Sequence, residues 1–183
     1  MKQLIALAAL LVFNSGAVAE VTDSAENGFT TVHEVIVSAP RARVWQAAVD
    51  EIGRWWSDDH TVNGDAGRMT INSVPQGCFC ETFENGGGVV HMTVTFVNPG
   101  IILRLTGGLG PLGLMGVNGN MTWEFFDAAD GGSTRVRFTY AVGGYSPDGL
   151  DTLAEPVDGV VAAALEGLKM HVQGAAQDDR DSD

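Results

Sequence analysis

The chain is poor in basic residues. Among its 183 residues, ten Lys and Arg stand against 23 Asp and Glu, which gives a formal net charge of −13. A surface this acidic repels phosphate backbones, and no basic stripe is visible along the sequence. The composition therefore excludes a nucleic-acid-binding protein, and it disfavours electrostatic docking on anionic lipid.

Long apolar runs are also scarce. One lies near the N-terminus, where Leu4 to Phe13 follows a short cationic segment and precedes Ala17-Val18-Ala19, a small-x-small motif. A membrane-spanning helix needs about 20 apolar residues, so this run is too short to be one. We interpret residues 1–19 as a cleavable secretory signal peptide, which predicts a periplasmic or secreted mature chain starting near Glu20. We expect no transmembrane span in that chain, although transient contact with a membrane is compatible with it.

Cysteine is nearly absent, since the sequence contains only Cys78 and Cys80. In an exported protein a disulfide is the first expectation. Residues two apart on an extended strand, however, have Cα atoms about 6.6 Å apart. That is close to the upper limit of about 6.8 Å for a disulfide, and their Cβ vectors run parallel. The spacing therefore favours two free thiols or two metal ligands, and a bond between them would be strained and easily reduced.

The order of the predicted elements indicates an α+β protein. An alternating first strand, 29–37, is followed by Ser38-Ala39-Pro40, which starts a helix with Ser38 as N-cap, and by a second short helix at 54–56. An amphipathic helix beginning at Pro156 carries an apolar stripe as far as Val172. Six further strands are predicted at 68–74, 77–84, 89–97, 101–106, 119–127 and 134–142. We divide the chain into the signal peptide 1–19, a linker 20–28, one domain 29–173 and an acidic disordered tail 174–183.

Four short segments resemble the START/SRPBCC superfamily, in particular its polyketide cyclase/dehydrase-like members. They are the stretch from Ser38 to Trp45, Trp55-Trp56, Gly77-Cys78-Phe79-Cys80-Glu81, and Asn98-Pro99-Gly100 with Leu103. The resemblance implies a helix-grip fold, in which a curved seven-stranded antiparallel sheet wraps around a C-terminal helix and leaves an apolar pocket between them. The superfamily includes lipid carriers, hormone receptors, aromatase/cyclases and cytosolic chaperone activators. The signal peptide argues against the chaperone-activator role.

The hairpin of strands 77–84 and 89–97 holds the residues best suited to chemistry. An even-numbered loop, which Asn85-Gly86 favours, places His91 on the face of the two cysteines and Glu81 on the opposite, apolar face. An odd-numbered loop places His91 on the same face as Glu81. We favour the even register, with Glu81 as a pocket carboxyl that acts as a general acid or an orienting hydrogen-bond partner. The sequence leaves equally open that Glu81 is an exposed strand residue or a carboxyl paired with Arg68 or Arg104.

A long loop, 107–118, combines glycines with bulky apolar residues, among them Leu114 and Met115. The segment from Gly108 to Gly113 matches a dinucleotide-binding motif by letter, but no βαβ unit surrounds it and Pro111 interrupts the turn. No cofactor is therefore predicted. The loop is either a mobile lid over the cavity mouth or a packed Ω-loop, and the sequence leaves both open.

Three functions remain open from the sequence. The first is a carrier of a hydrophobic small molecule, lipid- or polyketide-like in size, held between the sheet and the C-terminal helix. The second is a cyclase, dehydrase or hydrolase that uses Glu81 and His91 as acid and base. The third is a soft-metal site formed by Cys78, Cys80 and His91, for which simple packing of the cysteines as small hydrophobes is the alternative. The predicted ligand contacts are Phe79, Phe83, Met92, Val94, Leu114, Met115, Trp123, Tyr140, Leu165 and Leu168.

Overall fold

In the described part of the chain, an antiparallel sheet of eight strands forms the body of the protein. The computed structural model describes residues 18–181, with the side chains of residues 21–175. Strands that are neighbours in the sheet follow the order β1-β2-β8-β7-β6-β5-β4-β3. The strands are β1 (Val18–Ala25), β2 (Gly28–Val37), β3 (Met69–Ile71), β4 (Cys78–Thr82), β5 (Gly88–Asn98), β6 (Ile102–Gly107), β7 (Gly116–Asp127) and β8 (Thr134–Tyr145).

Within residues 18–181, two α-helices accompany the sheet. They are α1 (Arg41–Asp50), which follows β2, and α2 (Asp151–Asp181), which follows β8 and contacts β1, β2 and β8. Pro40 occupies the N-cap position of α1, so the predicted Ser38 cap is two residues too early. Short 3₁₀ helices occur at Ile52–Arg54, Asp58–His60, Ala66–Arg68 and Gly110–Leu114. The arrangement is the helix-grip fold, with eight strands where the sequence predicted seven, and no helix in residues 18–181 is long and apolar enough to cross a bilayer.

Regular structure extends beyond both predicted ends of the domain. β1 occupies most of the segment predicted as a linker, 20–28, and pairs with β2. Its residues 21–25 are exposed or half-buried, so an apolar alternation that would reveal an edge strand is lacking. The segment predicted as a disordered tail, 174–183, is helical as far as Asp181, and residues 182–183 lie outside the described part. Of the predicted signal peptide only Val18 and Ala19 are described, as the start of β1; residues 1–17 lie outside the described residues.

The last helix begins one and a half turns before the predicted position. α2 starts at Asp151, just after the fully buried Leu150, and Pro156 lies inside it. Proline has no N–H, so only the helical hydrogen bond to the carbonyl of Thr152 is lost. The sequence rule that places proline in the first turn therefore gave a start that is too late.

The part of α2 from Val161 to Val172 is packed against the core. Its inward side chains from Val161 to Val172 are at most 6 % exposed. Gly167 allows close approach, because a Cβ there would lie 2.5 Å from the carbonyl oxygen of Trp55. Across from the helix, Trp123 stacks on Phe138 with ring centroids 4.5 Å apart. This part of the helix therefore belongs to the packed core.

Candidate ligand-binding cavity

A cavity of about 710 Å³ lies beside the N-terminal half of α2. Small-molecule sites typically have volumes of roughly 300–1,000 Å³, so the cavity has room for a ligand of lipid or polyketide size. Most of the wall is apolar, and His91 is the buried polar side chain on it. The apolar lining side chains include Val62, Phe83, Val89, Val90, Leu109, Leu112, Leu114, Met115, Leu153, Pro156, Val157 and Val160.

A β-bulge brings Glu81 and His91 to the same side of the sheet. Phe79 pairs with Met92 and Cys80 pairs with Val90, so His91 is an extra residue of β5 without a partner on β4. Alternation of side chains is interrupted at a bulge. Consequently His91 and Met92, although adjacent in sequence, are both buried, with 4 % and 1 % of their surface exposed.

The predicted even register is wrong at the turn of this hairpin. Glu81 pairs with Val89, and the N–H of Phe83 donates to the carbonyl of Gly87, which leaves an odd loop of three residues. Gly86 closes the loop with φ of 84°, in the left-handed region that a three-residue hairpin loop requires. Beyond the bulge the pairing follows the even register. A single register along the whole hairpin, as predicted from the sequence, would put Glu81 and His91 on opposite faces.

Glu81 is an anchor within the wall of the cavity. Its side chain is fully buried, with Oε1 accepting from the N–H of Asn63 at 2.7 Å and Oε2 accepting from the N–H of Val62 at 2.9 Å. Oε2 also lies 3.2 Å from Nε2 of His91. The predicted position of Glu81 on the cavity surface is therefore wrong, because the carboxylate lies behind His91 and fixes the loop that contains Val62.

His91 is the group that this arrangement presents to a ligand. A carboxylate can only accept hydrogen bonds, so Nε2 of His91 carries a proton and donates a hydrogen bond to Glu81. In the neutral ring Nδ1 is then an acceptor, and it has no hydrogen-bond partner among the described residues. A histidine oriented in this way can accept a hydrogen bond or a proton from a hydroxyl group of a bound molecule.

The loop between β6 and β7 forms another wall. Leu109 and Leu112 are buried, and the hydroxyl of Tyr140 accepts from the N–H of Leu109 at 3.1 Å and donates to the carbonyl of Gly107 at 3.2 Å. Burial raises the pKa of this hydroxyl to about 12, against the opposing effect of the bond from Leu109. The base of the loop is therefore packed, as in the Ω-loop interpretation, while Leu114 at its outer end is 93 % exposed.

Three of the ten predicted ligand contacts line the cavity, namely Phe83, Leu114 and Met115. The other seven do not reach it, because they are buried in the packed core. They are Phe79, Met92, Val94, Trp123, Tyr140, Leu165 and Leu168, each at most 1 % exposed. The apolar stripe of α2 correctly predicted a helix over the sheet. The same residue types occur where the helix is packed and where it borders the cavity, so the stripe does not predict which part lines the cavity.

Cys78 and Cys80 form a disulfide, contrary to the prediction. Their Cα atoms are 5.4 Å apart, well inside the range for a disulfide, because this part of β4 is shorter than a fully extended strand. The two sulfur atoms lie on the face opposite to the buried Glu81, whereas His91 points inward. The proposed metal site therefore does not assemble, and no group of three or more His, Cys, Asp or Glu in the described part of the chain could hold a metal ion.

Sequence reasoning missed the walls supplied by the segment from Asp59 to Val62 and by the first turns of α2. The segment is polar in composition, which predicts an ordinary surface loop. Its position becomes clear only from the buried bonds that Glu81 makes to it. For α2, the late predicted start removed Leu153 from the helix altogether.

Residues 28–173 match the family described as polyketide cyclase / dehydrase and lipid transport. The chain belongs to this family. The family region begins with β2 and ends within α2, so it includes every wall of the cavity. Membership also places the chain in the START/SRPBCC superfamily, as the sequence resemblance implied. No curated protein matches the chain.

Solved structures with the family's fold share little sequence with this chain. CalU16 from Micromonospora echinospora is 13 % identical, with a TM-score of 0.59 over 87 % of this chain and 86 % of that one. A conserved protein of unknown function from Enterococcus faecalis, EF2215, is 12 % identical, with a TM-score of 0.57 over 85 % and 76 %. Ara h 8.0201 is 16 % identical, with a TM-score of 0.55 over 80 % and 99 %. At these identities the similarity shows the fold alone.

Proposed function

We propose that this protein binds and carries a hydrophobic small molecule of lipid- or polyketide-like size. The observation that carries the proposal is the 710 Å³ cavity, whose wall is apolar apart from His91 and a few polar groups around Asp59 to Thr61. Burial of an apolar ligand contributes about 25 cal/mol per Å² removed from water, so such a wall favours an apolar occupant. His91 orients that occupant through a hydroxyl or enol group.

The test is whether filling the cavity prevents binding. Val157→Trp places an indole in the hollow, and Ala163→Trp places the same group on an exposed position of the same helix. We expect the wild type and Ala163→Trp to take up a fluorescent fatty acid, and Val157→Trp to lose uptake while keeping its helical circular dichroism. Failure of the wild type to take up this probe, with no bound species in native mass spectrometry, would sink the proposal.

The hydrogen bond between Glu81 and His91 favours a second candidate, an enzyme of cyclase, dehydrase or hydrolase type. In this function His91 acts as general base at the cavity wall and Glu81 is the positioning residue that holds its ring. Loss of such a base typically lowers the rate by about 10²–10⁴-fold. Turnover of a poly-β-keto thioester that disappears in His91→Asn, with uptake of the fatty acid unchanged, supports an enzyme; no turnover by the wild type argues for a carrier alone.

Export is part of the proposal. The pattern in residues 1–19 supports it, and a disulfide between Cys78 and Cys80 is typical of an oxidising compartment. We expect the mature protein in a periplasmic or culture-medium fraction, and N-terminal sequencing should give a start near Glu20. Recovery of the full-length chain from the cytosolic fraction alone contradicts this.

Transient contact with a membrane would deliver the ligand. Two apolar lining residues at the mouth of the cavity are largely exposed: Val62 at 60 % and Leu114 at 93 %. Because the chain has a net charge of −13, the contact involves apolar side chains and uncharged or zwitterionic lipid, with no contribution from anionic headgroups.

A further inference from the structure

The disulfide and the bulge face each other across the same two strands. Cys78 pairs with Thr93 and Cys80 pairs with Val90, so three residues of β4 lie opposite four residues of β5. The Cα atoms of the two cysteines are 5.4 Å apart, whereas residues two apart on an extended strand are separated by about 6.6 Å. The disulfide therefore spans a shortened part of β4, opposite the position where β5 has one extra residue.

The sequence of the hairpin suits a second register that has no bulge. If the pairing of Phe79 with Met92 continued regularly to the turn, Cys80 would pair with His91 and the loop would be Asn85-Gly86. Asn-Gly is the preferred pair for a two-residue type I′ hairpin turn. The regular register is thus locally favourable, and it is the disulfide-bonded form that shows the three-residue loop and the bulge.

The regular register changes which side chains face the interior. Met92 and the residues beyond it keep their buried positions, so the core is not disturbed. Val90, now 60 % exposed, would move inward to a position opposite Glu81. His91 would move to the outer face beside the cysteines, because a register shift of one residue moves each side chain in the shifted segment to the other face of the sheet.

From this arrangement we infer that the Cys78–Cys80 disulfide is a redox site that holds His91 at the cavity wall. Reduction allows β4 to extend, the hairpin to adopt the Asn85-Gly86 register, and His91 to leave both Glu81 and the cavity. The reductant is a dithiol. One of its thiolates attacks a cysteine sulfur and breaks the S–S bond; its second thiol then resolves the mixed disulfide. Two electrons and two protons pass to Cys78 and Cys80, and the dithiol becomes a disulfide.

The position of the disulfide allows a reductant to reach it. Both cysteines are half-buried on the outer face of β4, next to the edge strand β3. β3 has only three residues, and it ends at Ile71, which pairs with Phe79. The N–H of Asn72 donates to the carbonyl of Cys78, so the backbone of Cys78 is covered, and a thiol approaches the half-buried cysteine side chains from the outer face.

Nuclear magnetic resonance of the full chain, oxidised and then reduced with dithiothreitol, tests this inference. In the oxidised protein we expect a slowly exchanging Nε2 proton from His91 and a cross-strand contact between Glu81 and Val89. Reduction should remove the His91 signal and replace that contact with one between Glu81 and Val90. His33 is the internal control, because its Nε2 lies 2.7 Å from Asp158 in a partly buried pair between β2 and α2 that reduction should leave unchanged.

A variant gives the same information without a reductant. The double variant Cys78→Ser/Cys80→Ser should lack the His91 Nε2 proton signal and show the contact between Glu81 and Val90 under oxidising conditions. Dithiothreitol should change neither signal. If the reduced wild type keeps the Glu81–Val89 contact and the His91 proton, the inference is wrong, even if the double variant fails to fold. Neither readout requires a ligand, so failure here is distinguishable from failure of the proposed carrier function.

Discussion

Glu81 and His91 are hydrogen-bonded in the interior, with Oε2 and Nε2 3.2 Å apart, although their strands pair Glu81 with Val89 and leave His91 without a partner. The contact exists because one extra residue in β5 turns His91 inward. Glu81 thus has two roles, since it also binds the backbone of the loop that contains Val62.

Replacing Glu81 should destabilise the protein. Glu81→Gln keeps the shape of the side chain, but its amide nitrogen cannot accept from the N–H of Val62 or Asn63. An unsatisfied buried donor costs about 1–3 kcal/mol, which we expect as the loss in free energy of unfolding measured in urea. Glu84→Gln, in the same hairpin but with a side chain 81 % exposed, is the control and should change stability by less than about 0.5 kcal/mol. Equal stability of the two variants would show that the buried carboxylate is not an anchor.

Adjacent valines of α2 should differ in their contribution to stability. Val161 is 1 % exposed in the packed core, and Val161→Ala should lower the free energy of unfolding by about 2 kcal/mol. Val160 lines the cavity, so Val160→Ala removes fewer contacts and should cost less than about 1 kcal/mol. Thermal unfolding of both variants without ligand makes the comparison. A larger loss for Val160→Ala would mean that the hollow is closed in solution.

Tyr140 should make stability depend on alkaline pH. Its pKa is raised by burial from 10.0 to about 12, so the folded state holds the proton more tightly than the unfolded chain does. This contribution is fully present below pH 10 and is lost as the pH rises through 12. A shift of this size corresponds to about 3 kcal/mol.

Urea midpoints measured at several values between neutral pH and the folded pKa check this expectation. Tyr140→Phe removes the hydroxyl that joins Gly107 to Leu109, and it should be less stable at neutral pH by about 1 kcal/mol. Its loss of stability above pH 10 should be smaller than that of the wild type. Parallel curves for the two proteins contradict the prediction.

The exposed rim should affect how fast a ligand enters. Leu114→Ser should slow transfer of a fluorescent fatty acid from zwitterionic vesicles, because it removes the most exposed apolar side chain at the mouth. Its equilibrium affinity for the free fatty acid should stay close to that of the wild type. Ile36→Ser is the matched control, since Ile36 is 44 % exposed on β2, away from the cavity. Equal transfer rates for all three proteins would argue against contact with a membrane.

The fold could be predicted from sequence where side chains follow a simple period. The alternation from Phe29 to Val37 and the apolar stripe of α2 gave the correct elements. β1 was missed because an edge strand that packs little surface needs no apolar alternation. The start of α2 was predicted too late at Pro156, since a proline is tolerated inside a helix when neighbouring contacts compensate for one lost hydrogen bond.

The site was less predictable than the fold. The sequence identified Glu81 and His91 as the groups best suited to chemistry, and the structure brings them together. Their relative position depends on a bulge and on a disulfide, and neither changes the pattern of residue types along the strands. Which part of α2 lies over a hollow depends on what the loops around Thr61 and Leu109 cover, and this is a property of tertiary contacts.

The part of α2 that borders the cavity and the part that packs in the core should tolerate substitution differently during evolution. The inward residues from Val161 to Val172 are close-packed in the core, so substitutions there are selected against for their effect on folding. Side chains at Leu153, Val157 and Val160 border open space and can be enlarged or shortened at small cost. Substitutions at these positions can therefore change ligand selectivity without a preceding substitution that raises the stability of the fold.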